Sequence, residues 1–181
     1  MKKIKFTAAV LILLAAAAIN APALEVISAS PVKTEKGKKA DFVLSGPATV
    51  RNLAFEKGAL VMPVTEYKDR VYSDIRLLSK SLYGKLESCF SKGNCAYAGK
   101  AASPALAVID VKPLKSKTRV ANVTLSFDGD LSVVFGAIRK ASGEIWAAYP
   151  ANFEVKDPAL KDLIEKKVRE GFEGAPKSGS K

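Results

Sequence analysis

Two carboxylates flank a glycine at Asp128-Gly129-Asp130, the one place where an Asp-x-Asp metal pair suggests itself. Calcium takes roughly six to eight oxygen ligands and magnesium about six, more than two adjacent turn residues supply. Asp-Gly is also the dipeptide of a tight hairpin turn, and that reading is preferred. The chain has no histidine, which removes the usual general base, the Ser-His-Asp arrangement and imidazole metal ligands together. Its two cysteines, Cys89 and Cys95, cannot build a cysteine-rich zinc site alone. Neither a G-x-x-x-x-G-K-[ST] nor a G-x-G-x-x-G phosphate loop occurs. The expectation is therefore a non-enzymatic protein with no catalytic residue, cofactor, metal site or small-molecule substrate.

The residues left to consider are binding residues. Lys33, Lys36, Lys38 and Lys39 form one basic group, and Lys112, Lys115, Lys117 and Arg119 a second. Both are the best candidates for holding an anion, although a solvated hairpin loop is the preferred reading of each. Trp146 and Tyr149 could stack bases or sugars, but their odd spacing along a strand directs them to opposite faces. Core packing is the expectation for Trp146. Cys89 and Cys95 are expected to form one disulfide if the chain is exported.

Export is suggested by the N-terminus. Lys2, Lys3 and Lys5 precede an uncharged Leu- and Ala-rich run from Phe6 to Ala18, and Ala21-Pro22-Ala23 has the small-residue pattern of a signal-peptidase site. Residues 1–23 are read as a signal peptide cleaved near Ala23, which implies a periplasmic or extracellular protein. The alternative is an inner-membrane anchor, because the uncharged stretch reaches Leu24 and approaches the roughly 20 residues of a span. Removal of the leader takes three lysines and lowers the formal charge from +11 to +8. That balance suits an anionic partner, but the lysines are scattered, and general surface charge is the preferred reading.

The elements that must position these residues come from a repeat. Leu24-Glu-Val-Ile-Ser-Ala-Ser-Pro-Val-Lys33 recurs as Leu106-Ala-Val-Ile-Asp-Val-Lys-Pro-Leu-Lys115, identical at five of ten positions at an offset of 82. Ala40-Asp-Phe-Val-Leu-Ser45 matches Ala121-Asn-Val-Thr-Leu-Ser126, and Gly58 to Pro63 matches Gly143 to Pro150. Leu78, Leu82, Leu86 and Phe90 align with Leu160, Ile164, Val168 and Phe172 as apolar helical stripes. Each copy reads as β-strands, with turns at Ser45-Gly46-Pro47 and Asp128-Gly129, followed by one amphipathic helix. Asp157-Pro158 marks the start of the second helix. The expected fold class is α+β: two tandem copies of a small antiparallel β-sheet unit, each followed by one helix and packed as a pseudo-dimer within a monomer. The copies would span 24–92 and 106–173, joined by a linker over 93–105 and followed by a disordered tail over 174–181.

Val50-Arg-Asn-Leu-Ala-Phe-Glu-Lys-Gly58, Ala59-Leu-Val-Met-Pro63, Tyr72-Ser-Asp-Ile75 and a helix occur in an order that resembles the SpoVG (stage V sporulation protein G, septation regulator) family. The second copy keeps the hairpin, Gly143, the strand into Tyr149-Pro150 and the helix. The resemblance implies a small sheet with one helix per unit, a dimeric assembly, a link to septation and sporulation control, and nucleic-acid binding. The family's basic run after Met-Pro is absent. Val64-Thr-Glu-Tyr67 and Ala151-Asn-Phe-Glu154 stand there, each with an acid and no base. Nucleic-acid binding is accordingly expected to be weak, since phosphate contacts dominate such affinity. The leading expectation is an exported SpoVG-like binding or scaffolding protein with an anionic or protein partner in the envelope. The alternative is a nucleic-acid-binding regulator tethered by an uncleaved N-terminal helix.

Overall fold

The computed structural model describes residues 23–34, 38–92, 95 and 102–175. Leader residues 1–22, Lys36, most of the linker and the tail from Pro176 lie outside the described residues.

The first half runs through β1 (Val26–Val32), β2 (Lys38–Leu44), β3 (Ala48–Glu56) and β4 (Ala59–Val61). A small hairpin, β5 (Thr65–Tyr67) and β6 (Arg70–Tyr72), precedes β7 (Ile75–Leu77) and α1 (Lys80–Lys92). The second half runs through β8 (Leu106–Pro113), β9 (Arg119–Phe127), β10 (Leu131–Arg139), β11 (Ile145–Ala148), β12 (Phe153–Val155) and α2 (Pro158–Gly174). The class is mixed sheet and helix, with antiparallel sheets and two helices, as the patterning implied.

Local chemistry explains the turns. Asp128 (φ 51°) and Gly129 (φ 72°) occupy the two left-handed positions of a tight hairpin turn, closed by Asp130 N–H donating to the Phe127 carbonyl at 2.9 Å. This geometry matches the natural twist of paired strands, and Asp and Gly tolerate it best. The β3–β4 turn repeats it with Lys57 (φ 50°) and Gly58 (φ 79°). The helices start where short polar side chains accept their free N–H groups. Asp157 accepts from Leu160 N at 2.8 Å, with Pro158 next in line, and Ser79 Oγ accepts from Leu82 N at 3.1 Å. Ser79 therefore fixes the start of α1 after Leu78, which was expected in its apolar stripe. Leu78 lies outside the helix and is 49% exposed, its N–H donating to the Asp130 carbonyl at 2.7 Å. Leu82, Leu86, Cys89 and Phe90 are the buried residues of α1, and Leu160, Ile164 and Val168 those of α2.

The sheets are built across the halves. One has the order β1-β2-β3-β12, with β4 also on β3. The other has the order β11-β10-β9-β8, with β7 also on β10. A strand from the second half thus completes the first sheet, and a strand from the first half completes the second. The registers correspond: Phe153 faces Val50 and Val155 faces Ala48, while Ile75 faces Val133 and Leu77 faces Leu131. The flanking hydrogen bonds correspond as well. Arg51 N donates to the Asn152 carbonyl at 2.9 Å and Val134 N to the Asp74 carbonyl at 2.8 Å. Lys156 N donates to the Pro47 carbonyl at 3.3 Å, as Leu78 N does to Asp130. The β1–β2 and β8–β9 ladders both break register next to an isoleucine, Ile27 in one and Ile109 in the other.

A single core runs between the sheets and under the helices. Phe153 of β12 packs on Phe127 and Phe135 of the second sheet, with ring centroids 5.4 and 5.9 Å apart. Phe90 of α1 stacks on Phe55 at 5.5 Å and meets Phe42 edge-on at 5.3 Å. Each helix thus buries its stripe against a sheet, the burial that makes an isolated amphipathic helix stable.

Candidate functional site

Lys33, Lys38 and Lys39 line a cleft of about 610 Å³ between β1, β2 and the end of α1, and Lys39 also lines a second cleft with Asn52 and Asn152. The apolar lining of the first includes Ala29, Val32, Phe42 and Phe90, and both cysteines border it. Lys33 follows the end of β1, and Lys38 and Lys39 open β2. Lys38 Nζ donates to the Phe90 carbonyl at 3.4 Å, which places a cation at the C-terminal end of that helix. Among the described residues no carboxylate is ion-paired with these three lysines. Cation density beside an apolar floor suits an anionic group carried on an apolar body.

The second basic group is arranged differently. Lys112, Lys115, Lys117 and Arg119 are all exposed, and they line none of the described cavities. Arg119 Nε donates to Asn122 Oδ1 at 2.8 Å, and its guanidinium lies over Gly136, where a Cβ would stand 2.8 Å from Nε. The reason for the asymmetry lies in the helices. α2 is 17 residues long, and its Gly171 sits close against Val108 and Val123 of the second sheet. α1 has 13 residues, and beyond Phe90 the corresponding face of β1 and β2 borders the cleft.

Cys89 and Cys95 are free thiols here, close to one another but not bonded. Burial pushes the Cys89 thiol up to about 12, helped by a hydrogen bond with Cys95. A thiol so far above its ordinary value holds little thiolate at neutral pH and is a slow nucleophile.

The Asp-x-Asp pair is occupied by backbone. Asp128 Oδ1 accepts from Ala105 N at 2.7 Å, and Asp130 Oδ2 accepts from Leu24 N at 2.8 Å. Among the described residues no group of three or more metal-ligating side chains forms. Burial raises the Asp128 carboxyl above its usual range, and the neighbouring Asp130 charge adds to this.

Trp146 departs from expectation: it is 39% exposed, while Ile145 and Ala147 are buried. The strand ends at Ala148, so strand alternation does not extend to Tyr149. Trp146 and Tyr149 therefore line one surface cleft of about 400 Å³ with Lys161 and Glu165. Tyr149 stands edge-on to Phe135 at 5.1 Å, and its buried hydroxyl has no hydrogen-bond partner among the described residues. Burial, with the charges of Glu165 and Asp162, pushes that hydroxyl up to about 12. Tyr149→Phe removes an unsatisfied polar atom and keeps the ring. The expected result in thermal denaturation is a change of 0 to about +1 kcal/mol in stability, against the roughly 1–3 kcal/mol loss that follows removal of a hydroxyl with a buried partner.

Glu154 and Glu66, the acids that follow Pro150 and Pro63, have distinct settings. Glu154 pairs with Arg51, and that hydrogen bond holds its carboxyl below the usual range. Glu66 is exposed on the β5–β6 hairpin, an element the sequence reading did not anticipate. The charge at β12 is thus internally offset rather than simply repulsive. No family model, curated protein or solved structure matches this chain.

Proposed function

We propose that the chain is an exported, non-enzymatic binding protein made of two SpoVG-like units in tandem, packed as a pseudo-dimer with reciprocally exchanged strands. The corresponding registers of β7 and β12, the paired backbone hydrogen bonds and the equivalent irregularities at Ile27 and Ile109 support the two-copy reading. The leader pattern supports export, and the resemblance carries the link to septation. The single observation behind the binding role is the cleft in which Lys33, Lys38 and Lys39 edge an apolar floor.

The partner is an anionic group borne on an apolar body, such as a long-chain carboxylate or phosphate ester, held without turnover. Both the charge and the floor contribute to affinity. Calorimetric titration with dodecanoate at physiological salt should give saturable binding. The Lys33→Glu/Lys39→Glu double variant should bind at least tenfold more weakly, because each reversal replaces attraction by repulsion at a partly desolvated site. Reversal of Lys115 and Lys117 should leave binding unchanged. Binding that is insensitive to the first pair, or sequence-selective binding of duplex DNA at the same salt, would contradict the proposal.

A further inference from the structure

The Leu24 backbone nitrogen, the first atom after the expected cleavage site, has a buried carboxyl as its partner. Leu24 is 1% exposed and Asp130 is 7% exposed, 106 residues away in the chain, and N and Oδ2 stand 2.8 Å apart. Asp130 also organises its surroundings: its N–H closes the β9–β10 turn and its carbonyl receives the Leu78 N–H. The charges around it do not cancel. Asp128 adds a second carboxylate nearby, while Lys85 donates to the Leu24 carbonyl and to Glu25 Oε1, both at 2.9 Å. Lys85 is thus paired with Glu25, and neither Asp128 nor Asp130 has an ion-pair partner among the described residues. A neutral amide satisfies a lone pair of the Asp130 carboxyl but leaves a buried negative charge without a counter-charge.

We infer that Asp130 is the receptor for a new α-amino terminus at Leu24, so that proteolytic removal of the leader locks the fold with a buried ion pair. The inference rests on the export reading above. Hydrolysis of the Ala23–Leu24 bond by a signal peptidase adds one water. It leaves a carboxylate on Ala23 and, at neutral pH, an ammonium on Leu24. The nitrogen that now donates one neutral hydrogen bond to Asp130 then carries a full positive charge at the same position. Charge-assisted bonds of this kind are about twice as strong as neutral ones. The usual objection to buried ion pairs, the cost of desolvating both ions, applies here only to the ammonium, since Asp130 is buried in either form. The lock ties the start of β1 to the β9–β10 turn and, through Lys85, to α1.

The sign of its pH dependence follows. An α-amino group titrates ordinarily at about 7.7–8.0, and Asp130 raises it in the folded state. The added stability is therefore complete below about pH 7.7 and is lost as pH rises through the folded value.

The test uses the chain beginning at Leu24, released from a removable N-terminal tag, beside the same chain extended by Ala23. The Leu24 chain should melt about 3–6 °C higher at pH 7, with the difference vanishing at high pH. The α-amino pKa, read from the pH dependence of its acylation rate, should lie at least about one unit above the ordinary value. Asp130→Asn should abolish both effects. If that variant does not fold, the amino-group titration and the pH-dependent melting difference still decide. Equal melting temperatures and an ordinary α-amino pKa would overturn the inference, whatever residue the exported chain begins with. Soluble cytoplasmic protein that retains Met1 would overturn the export reading instead, even with the melting difference intact.

Discussion

Phe153→Ala is expected to destabilise the protein by about 3–5 kcal/mol, the range for truncating a buried phenylalanine. Phe153 is 4% exposed and belongs to β12, which hydrogen-bonds to β3 of the first sheet. Its ring packs on Phe127 and Phe135 of the second sheet. The substitution therefore opens a cavity where the two sheets meet, and neither sheet can close it without moving the other. Against a typical stability of roughly 5–15 kcal/mol, such a loss is a large fraction of the whole. Urea denaturation followed by circular dichroism measures it. Val71→Ala is the control, because Val71 is 65% exposed and its truncation should stay within about 0.5 kcal/mol. A loss below about 1 kcal/mol for Phe153→Ala would mean that the sheets do not share a core at this point.

Dividing the chain should have a still larger effect. Residues 24–92 alone lack β12, which pairs with the edge of β3 and helps cover Ala48 and Val50, 0% and 3% exposed in the whole chain. Residues 102–175 alone lack β7, which pairs with β10 at Leu131 and Val133. Neither segment should be a folded monomer. Each is expected to be unfolded or to associate, because an open edge over an uncovered apolar face seeks another strand. Mixed together, they should recover the sheet signal of the whole chain. A monomeric 24–92 segment that unfolds cooperatively, as judged by sedimentation and circular dichroism, would contradict strand exchange.

The Asp128-Gly129 hairpin and the start of α2 were legible because they rest on short-range chemistry. Asp128-Gly129 can adopt a left-handed turn cheaply, and Asp157-Pro158 caps and starts a helix whatever surrounds it. The exchange of β7 and β12 left no comparable trace. Each is three residues long, too short to display alternation, and its partner is chosen by the tertiary packing of Ile75 and Phe153. Leu78 continued the apolar spacing of α1, but Ser79 caps the helix one residue later and leaves Leu78 exposed. Trp146 was expected in the core on size alone, yet the buried positions of β11 went to Ile145 and Ala147.

The candidate site was half legible. Lys33, Lys38 and Lys39 were visible as a basic group, and their similarity to the second group suggested two equal patches. The difference came from helix length and from Gly171, whose missing side chain lets α2 lie close on Val108 and Val123. The apolar floor beside the lysines depends on Phe42 and Phe90, 48 residues apart in the chain, and on nothing periodic in either segment. The bond between Leu24 and Asp130 was equally hidden, since it joins a strand start to a turn in the other half.

The binding account is tested most directly by following backbone amide resonances of the chain beginning at Leu24 during titration with dodecanoate at physiological salt. The account predicts saturable shifts concentrated at Ala29, Val32, Lys33, Lys38, Lys39, Phe42 and Phe90, with the loop carrying Lys115 and Lys117 unmoved. Equal shifts in that loop, or no saturable shift at the cleft, would contradict it.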